Sequence, residues 1–347
     1  MTWRTAMLQA ETRVRLAALV ATVVLAVTPP PARAQDAAGF YAGKTIKLLV
    51  GMPPGGGVDA YARLLQRHIV RHLPGAPQIV VQNMPGAGSL RAVMSLVTAP
   101  EDGTTIVTFS SALLTEAILA PARVKIDFRS FAYLGNVGED VRVCYVRAGR
   151  GIRAWQDLVA SDGVVFGTTT SGTSGSTDVA MLRSIFGIKL RQVQGYAGAA
   201  DKRLALEKGE IDGDCAGWTS LPEDWIAQRK IDVMLRLSPT LLPGMSGSVP
   251  YGGDLVTGTE RQVFDLLTAP IRLGRLFMVS GKVAPDRIAT LRSAFDKVMR
   301  DSEFNAEAGK LGLMVSPTRG VEVGRRISAL YDTPRPLVEK ARAIAGD

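Results

Sequence analysis

The chain has 347 residues, 46% hydrophobic and 21% charged, with a formal charge of +9. This composition excludes an intrinsically disordered chain, and the length suits two lobes better than one compact core. Lys and Arg are scattered, without a basic run or interleaved aromatics. The charge therefore argues against nucleic-acid binding and for a mild attraction for anions.

The first residues form a separate unit. Arg4, Arg13 and Arg15 precede a twelve-residue apolar run at 16–27, three prolines at 29–31, and Ala32-Arg33-Ala34. This order predicts a secretory signal peptide over 1–34, cleaved after Ala34. A spanning helix needs roughly 20 apolar residues, so the run is too short for an anchor. No Cys follows that could carry a lipid, and no later segment has a transmembrane pattern. The leader holds four Arg and one Glu, so its removal leaves +6 on a soluble periplasmic protein.

Beyond the leader the pattern alternates strand and helix. Strands are predicted at 46–50, 79–82 and 104–109. Helices are predicted over 60–73, where apolar residues recur near a period of 3.6, and within 86–99. After Phe131 the pattern repeats in kind. Strands at 141–146 and 163–168 and a helix near 177–186 come first. A helix over 201–208 follows, with further strands at 192–196 and 211–215. The C-terminal part carries a strand at 276–279 and helices over 285–300, 302–311 and within 320–345. Strand–loop–helix blocks of this kind predict mainly parallel sheets flanked by helices. Two such blocks, about 110 residues apart, predict two lobes facing a cleft.

Two loops have the chemistry to hold an anion. Pro54, Gly55, Gly56 and Gly57 lead into the first helix, with Asp59 placed as its N-cap. Small residues let a ligand approach peptide N–H groups at a helix start, which favours negative charge. The second loop, within 168–178, is rich in hydroxyls: Ser171, Thr173, Ser174, Ser176 and Thr177 flank Gly175 and end at Asp178. Hydroxyls donate to a carboxylate without adding charge. Ser110 and Ser111 close a strand, and in open α/β sheets ligands bind outside the carboxyl ends of strands.

Catalytic and cofactor signatures are missing. The first loop lacks both the P-loop Lys-Ser/Thr and the G-x-G-x-x-G spacing. There is no G-x-S-x-G elbow. His68 and His72, the only histidines, are four apart, but Ile69 stands where a zinc protease motif needs Glu, and no third ligand is evident. No metal and no cofactor is expected. Spacing leaves open whether Cys144 and Cys215 form a disulfide or remain two buried thiols.

The segments IKLLVGMPPGGGVDAYAR (46–63), VVQNMPGAG (80–88) and APEDGTTI (99–106) together resemble the tripartite tricarboxylate transporter substrate-binding proteins, the Bug family. The resemblance runs from about Phe40 to the C-terminus. It implies a two-lobed α/β, Venus-flytrap fold in which one loop per lobe grips a ligand carboxylate. The matching loops here are Pro54 to Asp59 and the stretch within Thr170 to Asp178, with Ser110 and Ser111 lining the cleft. The second lobe departs from the family pattern and reads VQGYAG at 193–198, as in a divergent branch. Tyr196 is its candidate cleft residue. The lobes are expected at 36–138 with 273–347, and at 139–272, with hinges near 135–140 and 250–274. The implied protein is a periplasmic monomer that passes a small organic carboxylate to the membrane permease subunits of a transporter. A periplasmic enzyme using Asp59 and Asp178, or a sensory protein presenting its ligand, are the alternatives on the same fold.

Overall fold

The structure is a computed structural model describing residues 37–170 and 172–346; the expected leader and Ser171 lie outside the described residues. Strands and helices are numbered in chain order from Thr45. One sheet holds β1 (Thr45–Val50), β2 (Gln78–Asn83), β3 (Thr105–Thr108), β4 (Phe131–Asn136), β10 (Leu276–Ser280) and β11 (Thr318–Arg319), in the order β11-β4-β10-β3-β1-β2. The other holds β5 (Arg142–Arg147), β6 (Asp162–Gly167), β7 (Lys189–Val193), β8 (Gly213–Gly217) and β9 (Ile231–Arg236), in the order β7-β6-β8-β5-β9.

The two-lobed α/β architecture is present, but the sheets are mixed rather than mainly parallel. Parallel pairing joins β1 to β2 and β3, and β6 to β7 and β8, as helical crossovers require. The exit strand β4 and the return strand β10 run in opposite directions and pair antiparallel, and β5 pairs antiparallel with β8 and β9. In β5 and β8, Cys144 and Cys215 stand directly opposite each other and form a disulfide of 2.05 Å.

Helices cover the sheets because their apolar residues fall on one face. In α1 (Gly57–Ile69), Val58, Tyr61, Leu64, Leu65 and Ile69 are buried against the first sheet. Further along the chain come α2 (Leu90–Val97), α3 (Ala112–Leu119), α4 (Trp155–Ala160), α5 (Ser174–Ser184), α6 (Ala199–Lys208), α7 (Glu223–Ala227) and α8 (Gly258–Leu273). The chain ends in α9 (Pro285–Val298), α10 (Ser302–Lys310), α11 (Gly320–Tyr331) and α12 (Arg335–Gly346).

The two segments that pass between the sheets are tied to each other. Val137 N–H donates to the Arg275 carbonyl and Arg275 N–H donates to the Gly138 carbonyl, both at 3.1 Å. Gly274 sits so close that a Cβ there would lie 2.4 Å from the Gly138 oxygen. The chain passes between the halves a third time at its end: α12 packs on α5 and α8 of the second sheet and on α3 of the first. No helix of the described residues is long and apolar enough to cross a membrane.

Candidate functional site

A cavity of about 390 Å³ lies between α3, which follows β3, and α5, which follows β6. Its walls are completed by α8 and α12. Of the residues expected in the site, Ser111, Ser174, Thr177 and Asp178 line it. They come from both sheets, so the cavity is an interlobe cleft of the kind in which small molecules bind.

The second loop folds as its hydroxyls dictate. Thr173 caps α5: its side chain accepts from Ser176 N–H at 3.4 Å and bonds Thr169 Oγ1 at 3.0 Å. Ser176 is buried and accepts from Gln192 Nε2 at 3.1 Å, and Gln192 also reaches Thr168 Oγ1 at 2.9 Å. Gly175 faces the Cys215 carbonyl, with Arg142 and Lys202 behind it. Asp178 lies inside the helix, buried, and pairs with Arg142 Nε at 2.5 Å. Burial pushes the Asp178 carboxyl up to about 6 against the pull of Arg142. Tyr196 packs against Gly167 and the second-sheet core and is not part of the cavity wall.

The first loop stands apart from that wall. Pro54, Gly55 and Gly56 are exposed. Asp59 is the third residue of α1, not its N-cap, which is Gly56. Its buried carboxylate accepts from Gly55 N–H at 2.9 Å, Asn83 Nδ2 at 2.9 Å and Arg63 Nε at 3.0 Å. Burial would raise this carboxyl, but the three donors outweigh it and hold the pKa below the usual range. The carboxylate fixes the glycine turn from inside. Gly57 reaches the cavity indirectly. A Cβ there would lie 2.9 Å from Arg275 Nη2, and that nitrogen donates to Asp140, which lines the cavity, at 2.6 Å. Ser110 is held by its N–H, which donates to Ser89 Oγ at 3.0 Å.

Along the wall runs a chain of four alternating charges, Arg275, Asp140, Arg142 and Asp178, of which the last three line the cavity. Asp140 lies 3.5 Å from Arg142 Nη1 as well as 2.6 Å from Arg275. Each arginine backs the start of one loop helix, Arg275 at Gly57 and Arg142 at Gly175. Sequence reasoning singled out Asp178 but missed Arg275, Asp140 and Arg142 as its partners, along with Glu116, Arg123 and Arg342. One signal was available: Arg142 opens the otherwise apolar run RVCYV, and a charge buried in such a strand needs a partner.

His68 and His72 are engaged elsewhere. Glu307 meets His68 Nε2 at 2.6 Å, Arg71 meets its Nδ1 at 2.7 Å, and Asp301 meets His72 Nε2 at 2.9 Å. The arginine beside His68 places a positive charge where Asp301 and Glu303 approach it.

Two sheets, an interlobe cleft and paired chain crossings define the fold of periplasmic solute-binding proteins. Solved structures that share it include a TctC solute-binding protein and the Bug protein BugD. A TctC solute-binding protein from Polaromonas matches with a TM-score of 0.65 at 20% identity, over 86% of this chain and 99% of that one. The periplasmic binding protein BugD matches with a TM-score of 0.69 at 18% identity, over 88% and 99%. MatC from Rhodopseudomonas palustris, with bound malate, matches with a TM-score of 0.66 at 15% identity, over 86% and 99%. In sequence, the chain is 27% identical over 293 residues to a UPF0065 protein in the tcbD-tcbE intergenic region of Pseudomonas sp. (strain P51), covering 79% of this chain and 84% of that protein. No family model matches the chain.

Proposed function

We propose that this chain is a periplasmic solute-binding protein that captures a small organic carboxylate in the interlobe cleft and delivers it to the membrane permease of a tripartite tricarboxylate-type transporter. The observation that carries this reading is the cavity itself, which joins Ser111 on one side to Ser174 and Thr177 on the other. These neutral hydroxyls, next to the start of α5, suit a carboxylate. The malate held by MatC on the same fold supports the ligand class.

In this reading the lobes are 36–138 with 273–347, and 139–272, and the protein works as a monomer with a cleaved leader. It carries out no reaction. Asp59 and Asp178, the pair of acids that the sequence offers for an enzyme, are bonded to different arginines.

A thermal-shift screen of the mature protein against a carboxylate panel tests the proposal. A ligand at one hundred times its dissociation constant adds about 2.7 kcal/mol of stability. A bound acid should raise the melting temperature, and Ser174→Ala with Thr177→Val should remove most of that rise. A panel without a single stabilising acid would refute the reading.

A further inference from the structure

Resting on the carboxylate-capture reading, we infer that Arg342 of the last helix receives the ligand's charge and that the ligand is an apolar-bodied monocarboxylate rather than a di- or tricarboxylate.

Charged side chains of both signs face the cavity. Its lining holds three acids, Glu116, Asp140 and Asp178, and three arginines, Arg123, Arg142 and Arg342. Each acid already has its cation. Glu116 pairs with Arg123, Asp178 with Arg142 at 2.5 Å, and Asp140 with Arg275, from behind the wall, at 2.6 Å. Arg342 is the one lining arginine without an acidic partner among the described residues. Its Nε donates to the Leu119 carbonyl, which pins the guanidinium to the wall, and no described residue bonds its two Nη groups, which can face a ligand.

The helix that carries Arg342 is firmly placed. Ala341 and Ile344 are buried in the second-sheet core. Arg342, Ala345 and Gly346, three and four residues apart on one face, line the cavity. Much of the rest of the wall is apolar: Ala112, Leu119, Ala120, Leu267, Pro270 and Ile271. A single carboxylate would satisfy Arg342 and reach the hydroxyls of Ser174 and Thr177, with its hydrocarbon body against these residues. A second ionised carboxylate would meet a wall whose other cations are all engaged, and would gain no ion pair there to offset the hydration it gives up.

The test is isothermal titration calorimetry on the mature wild-type protein with hexanoate, benzoate, adipate and malate, repeated on Arg342→Gln and Arg342→Lys. Hexanoate or benzoate should bind at least tenfold tighter than adipate or malate. Arg342→Gln should weaken that binding at least tenfold at an unchanged melting temperature, and Arg342→Lys should recover part of it. Adipate or malate binding as tightly as the monocarboxylates overturns this inference and leaves the carboxylate reading standing. So does undiminished monocarboxylate binding by a folded Arg342→Gln. Failure of all four acids to bind overturns both. The comparison of acids on the wild type needs no variant, so a misfolded substitution does not rescue the inference.

Discussion

The carboxylate of Asp140 and the guanidinium of Arg275 meet at 2.6 Å where the two main chain crossings lie side by side. Asp140 is on the outgoing crossing and Arg275 on the returning one, and Asp140 also faces Arg142 at the start of the second sheet. Burial alone would raise the Asp140 carboxyl. The two arginines overcome that and hold it below the ordinary carboxylate range. The ion pair thus ties the two crossings together where the chain passes between the sheets.

Asp140→Asn should therefore cost about 3–5 kcal/mol, because it leaves two buried arginines short of a partner. Urea unfolding measures this directly. A loss below about 1 kcal/mol would place the pair among weakly coupled surface contacts. The wild-type contribution should be full above the ordinary carboxylate range and fall away as pH drops through the lowered folded-state value.

Asp178 should behave oppositely. Its folded-state pKa is raised to about 6, so between the unfolded-state value near 4 and that point the folded protein binds more protons than the unfolded chain. Its contribution therefore makes stability fall as pH rises from about 4 to 6 and then level off. The difference between wild-type and Asp178→Asn urea midpoints across pH 4–7 isolates this slope from the lowered acids. A difference that does not vary with pH would show that Asp178 titrates as an ordinary carboxyl.

Asp59→Ala should loosen the glycine turn rather than remove a direct ligand contact. It deletes the acceptor for Gly55 N–H, Asn83 and Arg63, with an expected cost of about 1–3 kcal/mol. Hydrogen exchange at Gly55 to Val58 should accelerate, while exchange in the second sheet stays unchanged.

Replacing Cys144 and Cys215 together by Ser should destabilise the second sheet. The crosslink closes a loop of sequence separation 71, for which chain entropy gives about 4 kcal/mol. Unfolding under reducing conditions should reproduce the loss in wild type and leave the double variant unaffected. Equal stability of the two proteins without reductant would show that the bond adds nothing.

Local signals made the strand–loop–helix blocks legible. In β1, apolar positions end at a glycine-rich turn, and α1 shows a clear helical period, so both elements and both loops could be read directly. The cavity walls were harder. The α3 sequence ALLTEAIL is apolar on nearly every face and shows little periodicity, and α8 carries Pro270 inside it, a residue that usually ends a helix. The charge chain was hidden for a different reason. Arg142 and Asp178 are 36 residues apart and Asp140 and Arg275 are 135 apart, so only the folded chain brings them together. The cysteine pairing became readable once β5 and β8 were known to be neighbours. Asp59 was misjudged by position alone: two residues past Gly57, it reaches back to the turn instead of capping the helix.

The placement of α12 sets a limit on travel. Only Asp332, Thr333 and Pro334 separate the end of α11, which lies on the first sheet, from α12, which is seated mainly on the second. A link of this length spans roughly 10–14 Å when fully stretched. The two bodies can part at that edge by no more than this slack unless α12 lets go of one of them. A pair of strands crossing alone would allow both roll and twist; the short tether at the C-terminus favours rotation about a single axis, and lengthening it should widen the swing.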